Sequence, residues 1–218
     1  MTLDEIRDRV AVTGIGVVGA FHPDAEDAAP SGIGTLILLG PAGPEMWQAF
    51  RASPEYADGS PHPMDRWSAR VIGSLAAELG AQAFFPFGGP PWQPFQKWAV
   101  TGEGAVSSPV SMQATTGRGL WTSYRGALGF RKVFELPYTT NQSPCLDCSA
   151  PCLKACPVDA FSDGMYNVPR CVEHLKQEPR VACREGCLVR AACPYGAAVN
   201  LPVKQRTFHI DAFLRANG

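Results

Sequence analysis

Apolar positions recur along the chain at two periods, and the switches between them mark the elements. Leu3, Ile6 and Val10 fall three and four apart, which puts one apolar face on a helix over residues 2–11. GIGVVG (Gly14–Gly19) follows and reads as a glycine-rich strand. Thr35–Gly40 (TLILLG), a continuous apolar run bounded by glycines, predicts a buried strand. Pro44 stands where a helix can begin, with Trp47 and Phe50 turned inward. Residues 24–34 and 53–61 are rich in polar and turn residues and read as loops. The strongest helical repeat runs over 63–78, where Trp67, Val71, Leu75 and Leu79 recur and Gly80 stands at the C-cap position. Ala81–Phe85 then predicts a strand. This mixture of helices and strands predicts an α+β or α/β head.

After the head's regular elements the patterning loosens. FGGPPWQPFQKWAVT (Phe87–Thr101) combines prolines that stiffen a loop, glycines that allow close approach and aromatics that supply flat apolar surface. Two readings fit it: a wall for a planar cofactor that uses Trp92 and Trp98, or a rigid loop packed on the core. Val110–Thr116 predicts a further strand. The glycine-punctuated stretch Gly117–Phe130 carries Arg118, Trp121, Tyr124 and Arg125. Trp121 is a candidate cofactor contact, Tyr124 a candidate proton donor and Arg125 a candidate anion anchor. A half-buried tyrosine and a surface arginine are the plainer alternative. Pro137–Pro144 reads as a polar linker, and the residues after Pro194 as a tail ending in a short helix from about Asp211. The expected division is therefore a head over 1–143, a cysteine module over 144–196 and a tail over 197–218.

The cysteine module holds every cysteine of the chain, 8 in all, between Cys145 and Cys193. The first run is Cys145, Cys148, Cys152, Cys156 and then Pro157; the second is Cys171, Cys183, Cys187, Cys193 and then Pro194. Two-cluster ferredoxins use C-x2-C-x2-C-x3-C-P, and the fourth cysteine of such a run ligates the other cluster. The first run fits that pattern with an insertion, since Ser149-Ala150-Pro151 lies between Cys148 and Cys152. The expected ligand sets cross: Cys145, Cys148, Cys152 and Cys193 on one 4Fe–4S cluster, Cys156, Cys171, Cys183 and Cys187 on the other. The wider gaps of the second run demand a longer, folded loop. Competing readings are two zinc sites, which usually pair two Cys-x2-Cys knuckles, and disulfides, which need an oxidising compartment. His174 lies between cysteines but off the sulfur spacing, and His22, His174 and His209 read as non-ligands.

Composition narrows the partners. The net charge is −1 and Lys and Arg form no run, so no nucleic-acid partner is expected. No apolar stretch reaches the ~18 residues of a membrane span. The opening MTLDEIRDR mixes acids and bases, unlike a signal peptide, so a cytoplasmic protein with reduced thiols is expected. GIGVVG formally matches G-x-G-x-x-G, but a helix precedes it and Phe21-His22-Pro23 follows it, so a dinucleotide site is not expected.

The cysteine module resembles that of the epoxyqueuosine reductases and reductive dehalogenases, through RCVEHL (Arg170–Leu175), Gly186-Cys187 and Cys193-Pro194-Tyr195. The head is similar to the cobalamin-processing protein of the methylmalonic aciduria type C group, through Asp65-Arg66-Trp67, Gly88–Phe95, Gly119-Leu120-Trp121 and Tyr124-Arg125-Gly126. These resemblances imply a flavin-reductase-like head that binds cobalamin or FMN beside a bacterial-ferredoxin-like module. Tyr124 is the candidate for those families' catalytic acid. The chain ends at residue 218 without the helical-repeat extension of the tRNA-modifying relatives, so a tRNA substrate is not expected. The expected function is electron relay from the clusters to a cofactor or small substrate in the head, with a redox partner protein supplying electrons. The alternatives are a non-catalytic electron carrier, a cobalamin-handling protein and a zinc-stabilised binding module.

Overall fold

The computed structural model describes residues 1–137, 142–162, 165–177 and 182–218. By contacts the chain divides into two units, Met1–Gly104 with Ser123–Asn141 and Ala105–Thr122 with Gln142–Gly218. Two differences from the expected division stand out. Residues 105–122 belong with the cysteines, and so does the tail. Part of the expected linker, 138–141, lies outside the described residues.

The first unit is built on a four-stranded sheet. Its strands are β1 (Gly16–Phe21), β2 (Thr35–Gly40), β3 (Gln82–Phe84) and β6 (Gly126–Phe130), in the order β1-β2-β6-β3. Every neighbouring pair is antiparallel. The unit is therefore α+β, and the α/β alternative, which implies parallel strands, is corrected. β2 is buried along its whole length because helices cover both faces. Its alternate residues Leu36 and Leu38 pack with Phe95 and Trp98 of α5 (Phe95–Glu103). Ile37 and Leu39 point the other way and are equally enclosed.

α1 (Leu3–Ala11) starts at a capping box, in which Thr2 and Glu5 exchange side-chain-to-backbone hydrogen bonds, and it buries Leu3, Ile6 and Val10 as expected. α2 (Glu45–Arg51) buries Trp47 and Phe50. α4 (Pro63–Leu79) ends at Gly80 in the left-handed conformation. Its buried seam is Met64, Trp67, Ser68, Ile72, Leu75 and Ala76, so Val71 and Leu79 sit at the seam's edge. The loop expected over 53–61 holds a short helix, α3 (Pro54–Ala57), which packs on α4. Glu55 of α3 accepts hydrogen bonds from Arg70 of α4 at 2.5 and 2.9 Å.

The glycines of GIGVVG serve packing. A Cβ on Gly16 would stand 2.2 Å from the Ala42 Cβ, and one on Gly19 2.5 Å from the Gly102 carbonyl oxygen. Gly102 in turn lies under the Phe21 ring, so α5 rests directly on β1. β6 escaped the sequence reading for a related reason. A Cβ on Gly126 would meet Ile72, and one on Gly129 would meet the Phe84 ring. These glycines accept neighbouring side chains, and they also erase the strand's hydrophobic alternation.

The second unit has little sheet. The strand expected over 110–116 is reduced to β5 (Gln113–Ala114), paired with β4 (Val106–Ser107). Among the described residues the helices α6 (Val168–Gln177), α7 (Leu188–Ala191) and α8 (Val203–Asn217) follow. α8 begins well before the expected Asp211. α6 and α8 pack on each other, and Arg184 pairs with Asp211 of α8. No helix among the described residues is long and apolar enough to cross a membrane.

Candidate metal centre

Short turns hold the cysteines, and they owe their shape to prolines and left-handed residues. Ala150 has a φ of 50° and Pro151 opens a 3-10 turn that carries Cys152 inward. Pro194 opens another such turn directly after Cys193. Cys171 lies on α6, while Cys187 stands at the N-terminus of α7. Around them is an apolar cluster that includes Val110, Leu120, Ala160, Phe161 and Val189.

The thiols sort into two groups of neighbours. Burial pushes the Cys145 thiol above its ordinary value, and the sulfurs of Cys148, Cys193 and Cys152 add to the effect. Burial raises Cys152 likewise, with Cys193 and Cys148 as its sulfur neighbours. Cys171 is raised by burial and then by Cys187 and Cys156, against a hydrogen bond from the Tyr166 hydroxyl that favours its thiolate. Cys183 is raised by burial and by Cys187, Cys156 and Cys171. Among the neighbours of these four thiols none crosses between the groups. Cys193, from the second run, stands with the first three cysteines, and Cys156, from the first run, stands with the other three.

A small pocket, partly open to solvent, lies against Cys145, Cys148, Cys152 and Cys193. Its other walls are mostly proline, alanine and leucine, which offer a metal no competing side-chain ligand. Gly119, at a φ of 51°, brings backbone close to this group: a Cβ there would stand 2.7 Å from the Cys193 sulfur. In the other group the Ala160 N–H donates to the Cys156 sulfur at 3.2 Å. Among the described residues no three His, Cys, Asp or Glu converge on one point tightly enough for a single ion. A 4Fe–4S cluster asks for something different, namely four soft thiolates at the corners of a cube with backbone N–H groups aimed at sulfur. Four cysteines per group, apolar walls and N–H donors fit that requirement.

The remaining candidates fall elsewhere. Trp98 is wholly buried in the first unit's core, and its indole N–H donates to the Asp27 carbonyl at 2.9 Å. Burial leaves its ring no open face, which favours the packed-loop reading of this stretch. Trp92 is exposed, with its ring against Gly89. Trp121 belongs to the second unit and lies against Gly196. The Tyr124 hydroxyl donates to Glu103 Oε2 at 2.6 Å. Arg125 donates to Ser68 Oγ at 3.0 Å, pairs with Asp65 and lies over the Phe87 ring. His22, exposed as expected, contacts the Phe134 carbonyl through Nε2 at 2.8 Å. His174 lies on α6 and His209 on α8.

Two residues that the sequence reading passed over belong to the centre. Arg190 of α7 donates to the Leu120 carbonyl, and burial lowers its pKa against the opposing charges of Cys187 and Tyr166. Tyr166 stacks on Phe161 with ring centroids 4.5 Å apart. Neither falls at a metal-ligand spacing, so only their position reveals them.

No family model and no curated protein matches the chain. A crystal structure of selenomethionine-labelled epoxyqueuosine reductase is similar at 16% sequence identity and a TM-score of 0.45. The match covers 94% of this chain, which spans 62% of the length of that one.

Proposed function

We propose that the chain is an iron–sulfur protein with two 4Fe–4S clusters, and that it relays electrons to a cobalamin- or flavin-type cofactor, or to a substrate, held by the first unit. Cys145, Cys148, Cys152 and Cys193 hold one cluster; Cys156, Cys171, Cys183 and Cys187 hold the other. When bound, the clusters supply one-electron redox chemistry. The observation that carries the reading is the crossed sorting of the thiols into two fours, the arrangement that two-cluster ferredoxin spacing requires. The protein's own part is to hold the thiolates, to point N–H groups at sulfur, as Ala160 does at Cys156, and to surround the Cys145 group with apolar side chains that do not compete as ligands.

The second reading is a non-catalytic electron carrier. It is favoured by the side chains that the sequence offered as cofactor contacts. Trp98 is enclosed in the core, Tyr124 is bonded to Glu103 and Arg125 is bonded to Ser68 and Asp65.

Anaerobic reconstitution with iron and sulfide tests the first claim. It should yield a brown protein with about eight irons and about eight sulfides per chain. A colourless protein that takes up zinc and little iron overturns it. Titration of the loaded protein with hydroxocobalamin and with FMN then separates the two readings: binding of either favours the relay, and binding of neither leaves the carrier.

A further inference from the structure

Ser108, in the segment that lies with the cysteines, lines the pocket of Cys145, Cys148, Cys152 and Cys193. It is 7% exposed, and its Oγ is buried with no hydrogen-bond partner among the described residues. A serine that opens a turn commonly turns its oxygen back onto the turn's own backbone. Here the turn is closed without it. The Ser111 N–H donates to the Ser108 carbonyl at 2.9 Å, and the Ser108 N–H donates to the Met112 carbonyl at 2.9 Å. Those two bonds fix the Ser108 backbone and leave the hydroxyl over. The cysteines and the exposed Tyr195 aside, the other walls of the pocket are proline, alanine and leucine.

A buried hydroxyl without a partner is costly, and such groups are rare. The acceptors that share this pocket with Ser108 are the cysteine sulfurs. A neutral thiol accepts weakly, whereas a metal-bound thiolate or sulfide carries negative charge and accepts well. Cysteine already supplies all four corners of a cluster here, so the serine oxygen is not needed as a ligand. On the reading that this group holds a 4Fe–4S cluster, we infer that the Ser108 hydroxyl donates a hydrogen bond to the cluster's sulfur and so raises its reduction potential. Reduction adds one electron and one negative charge to the cluster; no bond breaks, and the proton stays on Ser108. The electron comes from a one-electron donor such as a reduced viologen, which is oxidised by one electron. A hydrogen bond to sulfur strengthens as the sulfur becomes more negative, so it favours the reduced state.

The test is a redox titration of the anaerobically loaded full chain with viologen mediators, followed by electron paramagnetic resonance. The signal altered by Cys145→Ala marks this group's cluster. Ser108→Ala deletes one oxygen and should load iron as the native chain does. It should make reduction of that cluster about tenfold less favourable, which for one electron is about 59 mV, and leave the other cluster in place. Ser108→Thr keeps the hydroxyl and should restore the native value. Native-like potentials for both clusters in Ser108→Ala overturn the inference. So does a shift confined to the other cluster, or a Ser108→Thr that titrates like Ser108→Ala. If Ser108→Ala fails to load this cluster, pulsed resonance on the native protein after exchange into deuterated water decides. An exchangeable deuteron coupled to this cluster is expected, and its absence overturns the inference. A native chain that takes up no iron and sulfide overturns the cluster reading itself, whereas a fully loaded Ser108→Ala with unmoved potentials overturns this inference alone.

Discussion

A glycine at residue 119 decides how near backbone comes to sulfur. Its φ of 51° suits glycine, and a side chain there would collide with the Cys193 sulfur and, at 2.5 Å, with the Gly196 nitrogen. Neither collision is with the free end of a flexible side chain. Gly119→Ala should therefore displace Cys193 and cut iron content from about eight towards about four per chain, with the second group still loaded. Iron and sulfide analysis beside the native protein reads this directly, and full loading of the variant would refute it. Trp98 makes the opposite point at the same scale. A tryptophan among prolines and glycines suggested a cofactor wall, yet its indole N–H is satisfied by the Asp27 carbonyl inside the core. Sequence reports the residue type, and only the fold reports which of its faces is free.

Among the elements, α3 and α4 show a connection that local patterning could not reveal. α3 is one turn long, too short for an apolar period, and its contact with α4 runs through Glu55 and Arg70. Hydrogen bonding from Arg70 holds the Glu55 carboxyl at about 2, below its ordinary value of 4.5. A lowered carboxylate contributes stability that is complete above pH 4.5 and is lost as pH falls through about 2. Arg70 is half exposed, so solvent screening limits the contribution to roughly 1 kcal/mol. Glu55→Gln should lower the urea midpoint at pH 7 and narrow the difference between native and variant protein at pH 3. An unchanged difference between the two pH values would rule the linkage out. β6 is the matching case among strands: Gly126 and Gly129 make it invisible to alternation because neighbouring side chains occupy the space a Cβ would take.

For the whole molecule, the two units depend on different sources of stability. The first has a sheet with helices on both faces and a core of large apolar side chains. The second has little sheet, and several of its core neighbours are cysteines. A metal centre held by these cysteines would couple its binding to folding. Removal of iron from the loaded protein with a chelator should therefore raise amide hydrogen exchange by at least about tenfold around residues 145–193, while β2 and β6 stay protected. Equal protection with and without iron would show that the second unit is folded by its own packing.

The helix over residues 2–11, the strand at Thr35–Gly40, the inward Trp47 and Phe50 and the Gly80 cap were all legible in the chain, because each rests on contacts a few residues apart. The cysteine spacing led to the expectation of a crossed grouping, since spacing restricts which sulfurs can meet. Other features were decided only by tertiary structure: the antiparallel order of the sheet, the place of residues 105–122 beside the cysteines, the burial of Trp98, and the bond from Arg190 to the Leu120 carbonyl. Each of these brings together groups far apart in sequence. Local pattern records which face of an element is apolar; what that face meets depends on the path of the whole chain.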